Sequence, residues 1–167
     1  MTIDINTLFF AIIIIGIVIA CILTIVGMGV DSSLLYWAGG YGINSVAYVL
    51  IFLRGLIPDI ASVWLANVMT VTTYALFAYG LLKFLNRHLN PLLIWTPVIV
   101  IAVVYPFLMS NVEARIALVG FMTATQSLLL ASLMISSTSH LIGRGKYILV
   151  TGFLLGVAVA LSRPLTI

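Results

Sequence analysis

The stretch "LFFAIIIIGIVIACILTIVGMGV", Leu8 to Val30, contains no charged side chain and decides the class of fold. As a helix it is long enough to cross the hydrocarbon core of a bilayer, which takes about 20 mainly apolar residues. The preceding segment, Met1 to Asn6, carries Asp4 and no basic residue, whereas a secretory signal peptide begins with positive charge. We therefore predict a first membrane helix that is retained.

The rest of the chain has the same apolar character. Hydrophobic residues make up 63% of the 167 residues and charged residues 7%, whereas soluble domains average about 45–50% and about 25%. A soluble fold of this size cannot hide so much apolar surface, because much of a small protein faces water. The basic residues form no runs, and they do not alternate with aromatic residues. Both patterns are typical of proteins that bind nucleic acids. The composition predicts lipid as the main partner and no nucleic-acid partner.

Five further apolar segments follow the first and are separated by short polar turns. In lipid every backbone polar group needs an internal partner, so a helical bundle is the expected solution. We predict an all-α, polytopic transmembrane bundle of about six helices, which forms one domain over residues 1–167 without a soluble domain. The predicted spans are Leu8–Val30, Leu34–Leu53, Ile60–Phe84, Leu92–Ser110, Ile116–Ser136 and Tyr147–Leu161.

Small residues predict where helices pack closely, because they let two backbones approach each other. In the sixth span Gly152, Gly156 and Ala160 recur at four-residue spacing. In the second span Trp37 stands beside the glycines of "WAGGYG". Packing within one chain and a homodimer interface both agree with these patterns, and packing within one chain is the preferred interpretation.

The spans hold neutral polar side chains and no charged side chains near their centres. Ionisable residues inside a membrane mark proton relays and ion paths, but here Lys83, Glu113 and Arg115 lie at predicted helix ends, where long side chains can reach the surface. The neutral groups either bond to neighbouring helices or line a ligand cavity. The candidates for polar helix contacts are Asn44, Asn67 and Gln126, with Trp37 beside them.

The sequence contains no catalytic or metal-binding pattern. Cys21 is the single cysteine, so a thiolate cluster is excluded. His88 and His140 are predicted on one membrane face without the carboxylate that would complete a metal site or a catalytic triad. We expect no cofactor, no metal and no enzymatic activity of the chain itself.

Basic residues near the helix ends set the expected orientation, since cytoplasmic loops carry an excess of Lys and Arg. One predicted face holds three single arginines, and the other holds two pairs of basic residues within single loops. We take the paired face as cytoplasmic, which places the N-terminus in the periplasm of a bacterial inner membrane. The single arginines are Arg54, Arg115 and Arg163, and the pairs are Lys83 with Arg87 and Arg144 with Lys146.

The turn "LRGLIPD", Leu53 to Asp59, brings opposite charges into a nearly uncharged chain. Gly55 can end a helix in the left-handed conformation, and Pro58 fits near the start of the next helix. Asp59 is placed to accept hydrogen bonds from the free amides of that helix. An exposed ion pair with Arg54 would add about 0–1 kcal/mol. These residues predict a tight interhelical turn, with a ligand site as the alternative.

From Leu35 to Arg87 the sequence resembles the N-terminal membrane region of bacterial diguanylate cyclases of the GGDEF type and of some sensor histidine kinases. The shared elements are a tryptophan with glycines in the second span, an "LRG-x-x-PD" turn, "LAN" in the third span and a closing "G-L-x-x-F-x-x-R". Tyr41 stands where the family usually has an asparagine. The matching positions are Trp37, Gly39, Gly40, Leu53, Arg54, Gly55, Pro58, Asp59, Leu65, Ala66, Asn67, Gly80, Leu81, Phe84 and Arg87.

The resemblance implies a sensory or signal-transduction module of the bacterial inner membrane that lacks the catalytic output domain. Arg54, Gly55, Pro58 and Asp59 are then the candidate signalling residues. The partner would be a cytoplasmic or membrane signalling protein or a second copy of the chain. Two alternatives remain: a small transporter or channel subunit, with a neutral path along Asn67, Thr70 and Gln126, and a non-catalytic structural subunit of a membrane complex.

Overall fold

A computed structural model describes residues 5–136 and 145–162, and within them the chain is helical. This confirms the all-α fold, with six α-helices in the described ranges. The helices are α1 (Ile5–Gly29), α2 (Ser33–Phe52), α3 (Ala66–Phe84), α4 (Pro91–Val104), α5 (Val112–Ile135) and α6 (Gly145–Ser162). A π-helical segment, Ile60–Leu65, leads into α3, and a 3-10 turn, Tyr105–Leu108, follows α4.

Five of the helical segments are long and apolar enough to cross a membrane. In the sixth helix the apolar stretch Tyr147–Val159 is shorter. The chain is therefore a multi-pass membrane protein by the length and composition of its helices. The five segments are Thr7–Gly29, Ser33–Phe52, Ile60–Phe84, Pro91–Leu108 and Val112–Ile135.

Contacts divide the chain into two compact units, Met1–Gly80 and Leu81–Ile167, and the single predicted domain stays a prediction. In the first unit α1 packs against α2, and α2 packs against the π-helical segment. Gly16 of α1 is buried and faces the Ser45 hydroxyl of α2, so a side chain at this position would clash. Most of the other side chains of α1 remain exposed, as expected for a helix that meets lipid around most of its circumference.

In the second unit α5 packs against α4, the 3-10 turn and α6. Gly156 is the member of the predicted small-residue pattern that lies beside another helix, because a Cβ atom there would be 3.7 Å from the Ser127 hydroxyl oxygen. Gly152 is exposed with open space around it, and the Ala160 side chain lies outside the described residues. Of the two glycines of this pattern that the structure describes, Gly156 is therefore the one that packs against a neighbouring helix.

Arg87 stabilises the C-terminal end of α5. Its Nη1 donates a hydrogen bond to the Ser136 hydroxyl at 2.8 Å, and its Nη2 donates to the Ser136 carbonyl oxygen at 2.9 Å. Ser136 is the residue that ends α5. A cation at this end of a helix also complements the helix dipole. Arg87 therefore has a structural role that its position in a polar turn does not reveal.

Candidate functional site: the α2–α3 hairpin

The turn between α2 and α3 is held by its own backbone. The Leu53 carbonyl oxygen accepts hydrogen bonds from the amides of Leu56 and Ile57, at 2.9 and 3.3 Å. Gly55 has a φ of +89°, which confirms the predicted left-handed conformation. Nothing lies within 4 Å of a Cβ atom placed on Gly55. Glycine is therefore favoured here by backbone conformation and not by a lack of space.

Asp59 does not cap the following helix, and this part of the prediction is wrong. Its backbone is already helical, with φ −59° and ψ −28°, and its side chain makes no capping hydrogen bond. A capping residue normally has an extended backbone that turns its side chain towards the free amides. Here the Pro58 carbonyl oxygen starts the helix by accepting from the Ala61 and Ser62 amides, at 2.9 and 3.1 Å.

The expected ion pair across the turn is not formed either. Arg54 and Asp59 are both exposed, and within residues 5–136 and 145–162 neither side chain has an ionic partner or a hydrogen bond. An exposed pair gains little against the entropy of holding two side chains together. The turn therefore presents one positive and one negative group that a partner can approach.

The segment Ile60–Leu65 is π-helical, with hydrogen bonds that span one residue more than those of an α-helix. Such segments are rare and occur frequently at functional sites. Asn67 follows this segment after Ala66 and donates from Nδ2 to the Val63 carbonyl oxygen at 2.6 Å. Asn67 is a candidate for contacts between helices, but this hydrogen bond lies within its own helix and ends at the π-helical segment.

Two glycines bring α2 and α3 into close contact. A Cβ atom on Gly40 would lie 2.5 Å from Phe77 Cε1, and one on Gly80 would lie 3.0 Å from the Ser33 carbonyl oxygen and closer still to the Trp37 indole. The rings of Trp37 and Phe77 stack between these points, with their centroids 5.0 Å apart. This confirms the close approach predicted beside Trp37. We call these four residues, Trp37, Gly40, Phe77 and Gly80, the aromatic seam.

One hydrogen bond joins the two helices at the aromatic seam. The Thr73 hydroxyl is buried and donates to the Gly40 carbonyl oxygen at 3.3 Å, while it also lies 3.1 Å from the Met69 carbonyl oxygen of its own helix. Asn44, further along α2, is half-buried. The seam therefore combines ring stacking, backbone approach and a polar link over a short length of both helices.

Other polar side chains of the spans bond to their own helices. Thr70 donates to the Ala66 carbonyl oxygen at 2.9 Å, and Thr123 donates to the Val119 carbonyl oxygen at 2.8 Å. Gln126 is buried in α5 with 4% of its surface exposed. These hydroxyl groups are satisfied locally, as is usual for Ser and Thr within helices.

Arg115 lies in the first turn of α5, as predicted, and 8% of the residue's surface is exposed. That its charged end reaches the membrane surface stays a prediction. Within the described ranges no three His, Cys, Asp or Glu side chains are grouped so that they could hold a metal ion. His140, Arg144 and Arg163, which entered the predictions above, lie outside the described residues.

The chain matches no protein-family model, no curated protein and no solved structure. The resemblance to the membrane regions of diguanylate cyclases and sensor kinases therefore stays a prediction.

Proposed function

We propose that the chain is a membrane-embedded signal-transduction module in which the α2–α3 turn receives or passes on the signal. The observation that carries the proposal is the π-helical segment Ile60–Leu65, which directly follows a turn with two exposed opposite charges. A partner that binds the turn can favour one helical form of this segment over another, since a ligand shifts an equilibrium by its differential affinity for two states.

The helical geometry supplies the mechanism. If the π-helical segment became an α-helix, α3 would shift by one residue relative to the turn before it. A shift of one residue turns an α-helix by about 100° around its axis. The aromatic seam resists such a rotation, because the rings of Trp37 and Phe77 pack against Gly80 and Gly40, where a larger side chain would clash. Two alignments of α2 and α3 would then serve as the two states of the module.

The polar side chains favour this function over transport. A neutral path needs side chains that are available to a solute, whereas two of the three residues predicted for it, Thr70 and Asn67, donate to carbonyl oxygens of their own helices. Flux of a small solute through liposomes that contain the purified chain would favour the transporter alternative instead.

The resemblance supports a bacterial inner membrane as the location, a periplasmic N-terminus and a cytoplasmic or membrane signalling protein as the partner. In this arrangement the exposed groups of the turn, Arg54 and Asp59, face the periplasm, and the output leaves from the opposite face. A role as a structural subunit would be favoured by a stoichiometric partner that co-purifies without any change in signalling.

The proposal is tested by Arg54→Ala and Asp59→Ala, singly and together, in the native host, with the intracellular cyclic di-GMP level as readout. Glu113→Ala is the matched control, because it removes an exposed acid from a different turn. We expect a host that lacks the chain to differ from the wild type and the turn variants to resemble the host without the chain. A wild-type cyclic di-GMP level in the double variant, at normal abundance in the membrane, would refute the role of the turn.

A further inference from the structure

The α2–α3 turn carries one positive and one negative charge, one near each end of the turn. Arg54 follows the residue that ends α2, Asp59 precedes the π-helical segment, and both are exposed. Ile60, the first residue of that segment, has 66% of its surface exposed. Charged side chains are costly in hydrocarbon, so this end of the hairpin lies at a membrane surface. We call Arg54, Asp59 and Ile60 the turn surface.

The backbone holds the turn surface in a fixed shape. The Leu53 carbonyl oxygen accepts hydrogen bonds from two amides of the turn, and a backbone bridge joins Arg54 to Ile57. Pro58 adds stiffness, because its ring fixes φ. The backbone positions of the two charged residues are therefore set before a partner binds, which lowers the entropy that association costs.

We propose that the partner of this turn is a second copy of the chain, bound through the turn surface about a two-fold axis perpendicular to the membrane. A two-fold interface brings the same patch of both copies together, so residue i contacts residue j and residue j contacts residue i. Copies inserted in the same direction carry their turns at the same depth. Arg54 of each copy then faces Asp59 of the other. The inference rests on the proposed function, because it names the partner of the signalling turn.

Charge complementarity favours a second copy over other occupants of the turn surface. A patch with one positive and one negative group is complementary to itself under two-fold rotation, whereas a partner of one sign is attracted by one group and repelled by the other. The contact also brings Ile60 of both copies together, and burial of apolar surface is favourable. Since Ile60 begins the π-helical segment, the contact reaches the part of the chain that the proposed mechanism rearranges.

Reversal of the charges tests the contact. The full chain is labelled at its C-terminus with a donor or an acceptor dye and reconstituted in phosphatidylcholine liposomes, and energy transfer is followed as the protein is diluted with lipid. Arg54→Asp gives a turn with two acids, Asp59→Arg gives a turn with two basic groups, and the double variant exchanges the two charges. Glu113→Arg is the matched control, because it reverses an exposed charge in the first turn of α5.

We expect the wild type, the double variant and the Glu113→Arg control to pair with equal strength. Each single reversal should weaken pairing about tenfold or more, because two attractions between the copies become two repulsions. An equimolar mixture of the two single variants should recover the pairing, since each acid then meets a basic group of the other copy. Mixing would not recover an ion pair within one turn, so this result is specific to contact between copies.

Absence of energy transfer in the wild type overturns the inference, and so does a mixture that pairs no better than each variant alone. If a reversed variant does not insert, Arg54→Gln combined with Asp59→Asn decides in its place, since undiminished pairing of that variant overturns the inference. The cyclic di-GMP level separates this result from the proposed function. A level that depends on the turn without pairing of copies overturns the inference and supports the function, and charge-dependent pairing without an effect on the level does the reverse.

Discussion

A single methyl group at Gly80 tests the aromatic seam. In Gly80→Ala the new Cβ atom would lie 2.5 Å from Trp37 Nε1 and 3.0 Å from the Ser33 carbonyl oxygen, whereas carbon atoms pack best at about 3.5–4.0 Å. The indole cannot easily move aside, because it stacks on Phe77 with centroids 5.0 Å apart. The Ser33 oxygen belongs to the backbone of α2 and cannot rotate away.

The expected loss of unfolding free energy in Gly80→Ala is obtained by comparison with a glycine that has space for a methyl group beside it. Overpacking of this kind costs about 1–3 kcal/mol, while replacement of glycine by alanine inside a helix gains up to about 1 kcal/mol. Gly42→Ala receives the same gain without a clash, since nothing lies within 4 Å of a Cβ atom there. The difference in unfolding free energy between the two variants should therefore equal the overpacking cost, about 1–3 kcal/mol.

Reversible unfolding in maltoside micelles with an increasing fraction of SDS, followed by circular dichroism, measures this difference. Trp37→Leu combined with Gly80→Ala gives a double-mutant cycle, in which most of the penalty should disappear because the smaller side chain leaves space for the methyl group. Equal stability of Gly80→Ala and Gly42→Ala, to within about 0.5 kcal/mol, would show that α2 and α3 do not pack as described.

Three further outcomes are expected. Gly55→Ala should lower the unfolding free energy by about 1–2 kcal/mol, the cost of a left-handed backbone for alanine, while Gly29→Ala, also in open space but without a positive φ, should not lower it in the same SDS titration. Arg87→Ala should cost about 1 kcal/mol through the lost hydrogen bonds to the end of α5, with Arg87→Lys between it and the wild type in thermal unfolding. In a cysteine-free background, Leu56→Cys should react with an impermeant maleimide on intact cells and His88→Cys only after permeabilisation, and the reverse pattern would invert the proposed orientation.

The helices could be predicted because membrane helices depend mainly on local composition. Long uncharged runs such as Leu8–Val30 form helices, because a helix satisfies all backbone hydrogen bonds within the segment, as lipid requires. The bounds of α1 lie close to those of this run. Gly55 was predictable for a similar reason, since glycine is the residue that commonly accepts a left-handed backbone.

Features that depend on exact backbone angles or on distant residues could not be predicted. Asp59 has the right chemistry for a cap, but the helical backbone at its own position decides the outcome. Arg87 bonds to Ser136, a residue 49 positions away, which no local pattern indicates.

The central claim, that the α2–α3 turn acts through the π-helical segment, is tested most directly by deletion of Leu65. Removal of one residue from Ile60–Leu65 should convert the segment to an α-helix, because a π-helical turn holds one extra residue. The measurement is the cyclic di-GMP level in the native host, with and without Arg54→Ala and Asp59→Ala. The account predicts that the two substitutions change this level in the wild-type chain and have no effect once Leu65 is deleted. A change of the same size in both backgrounds, at equal abundance in the membrane, would contradict it.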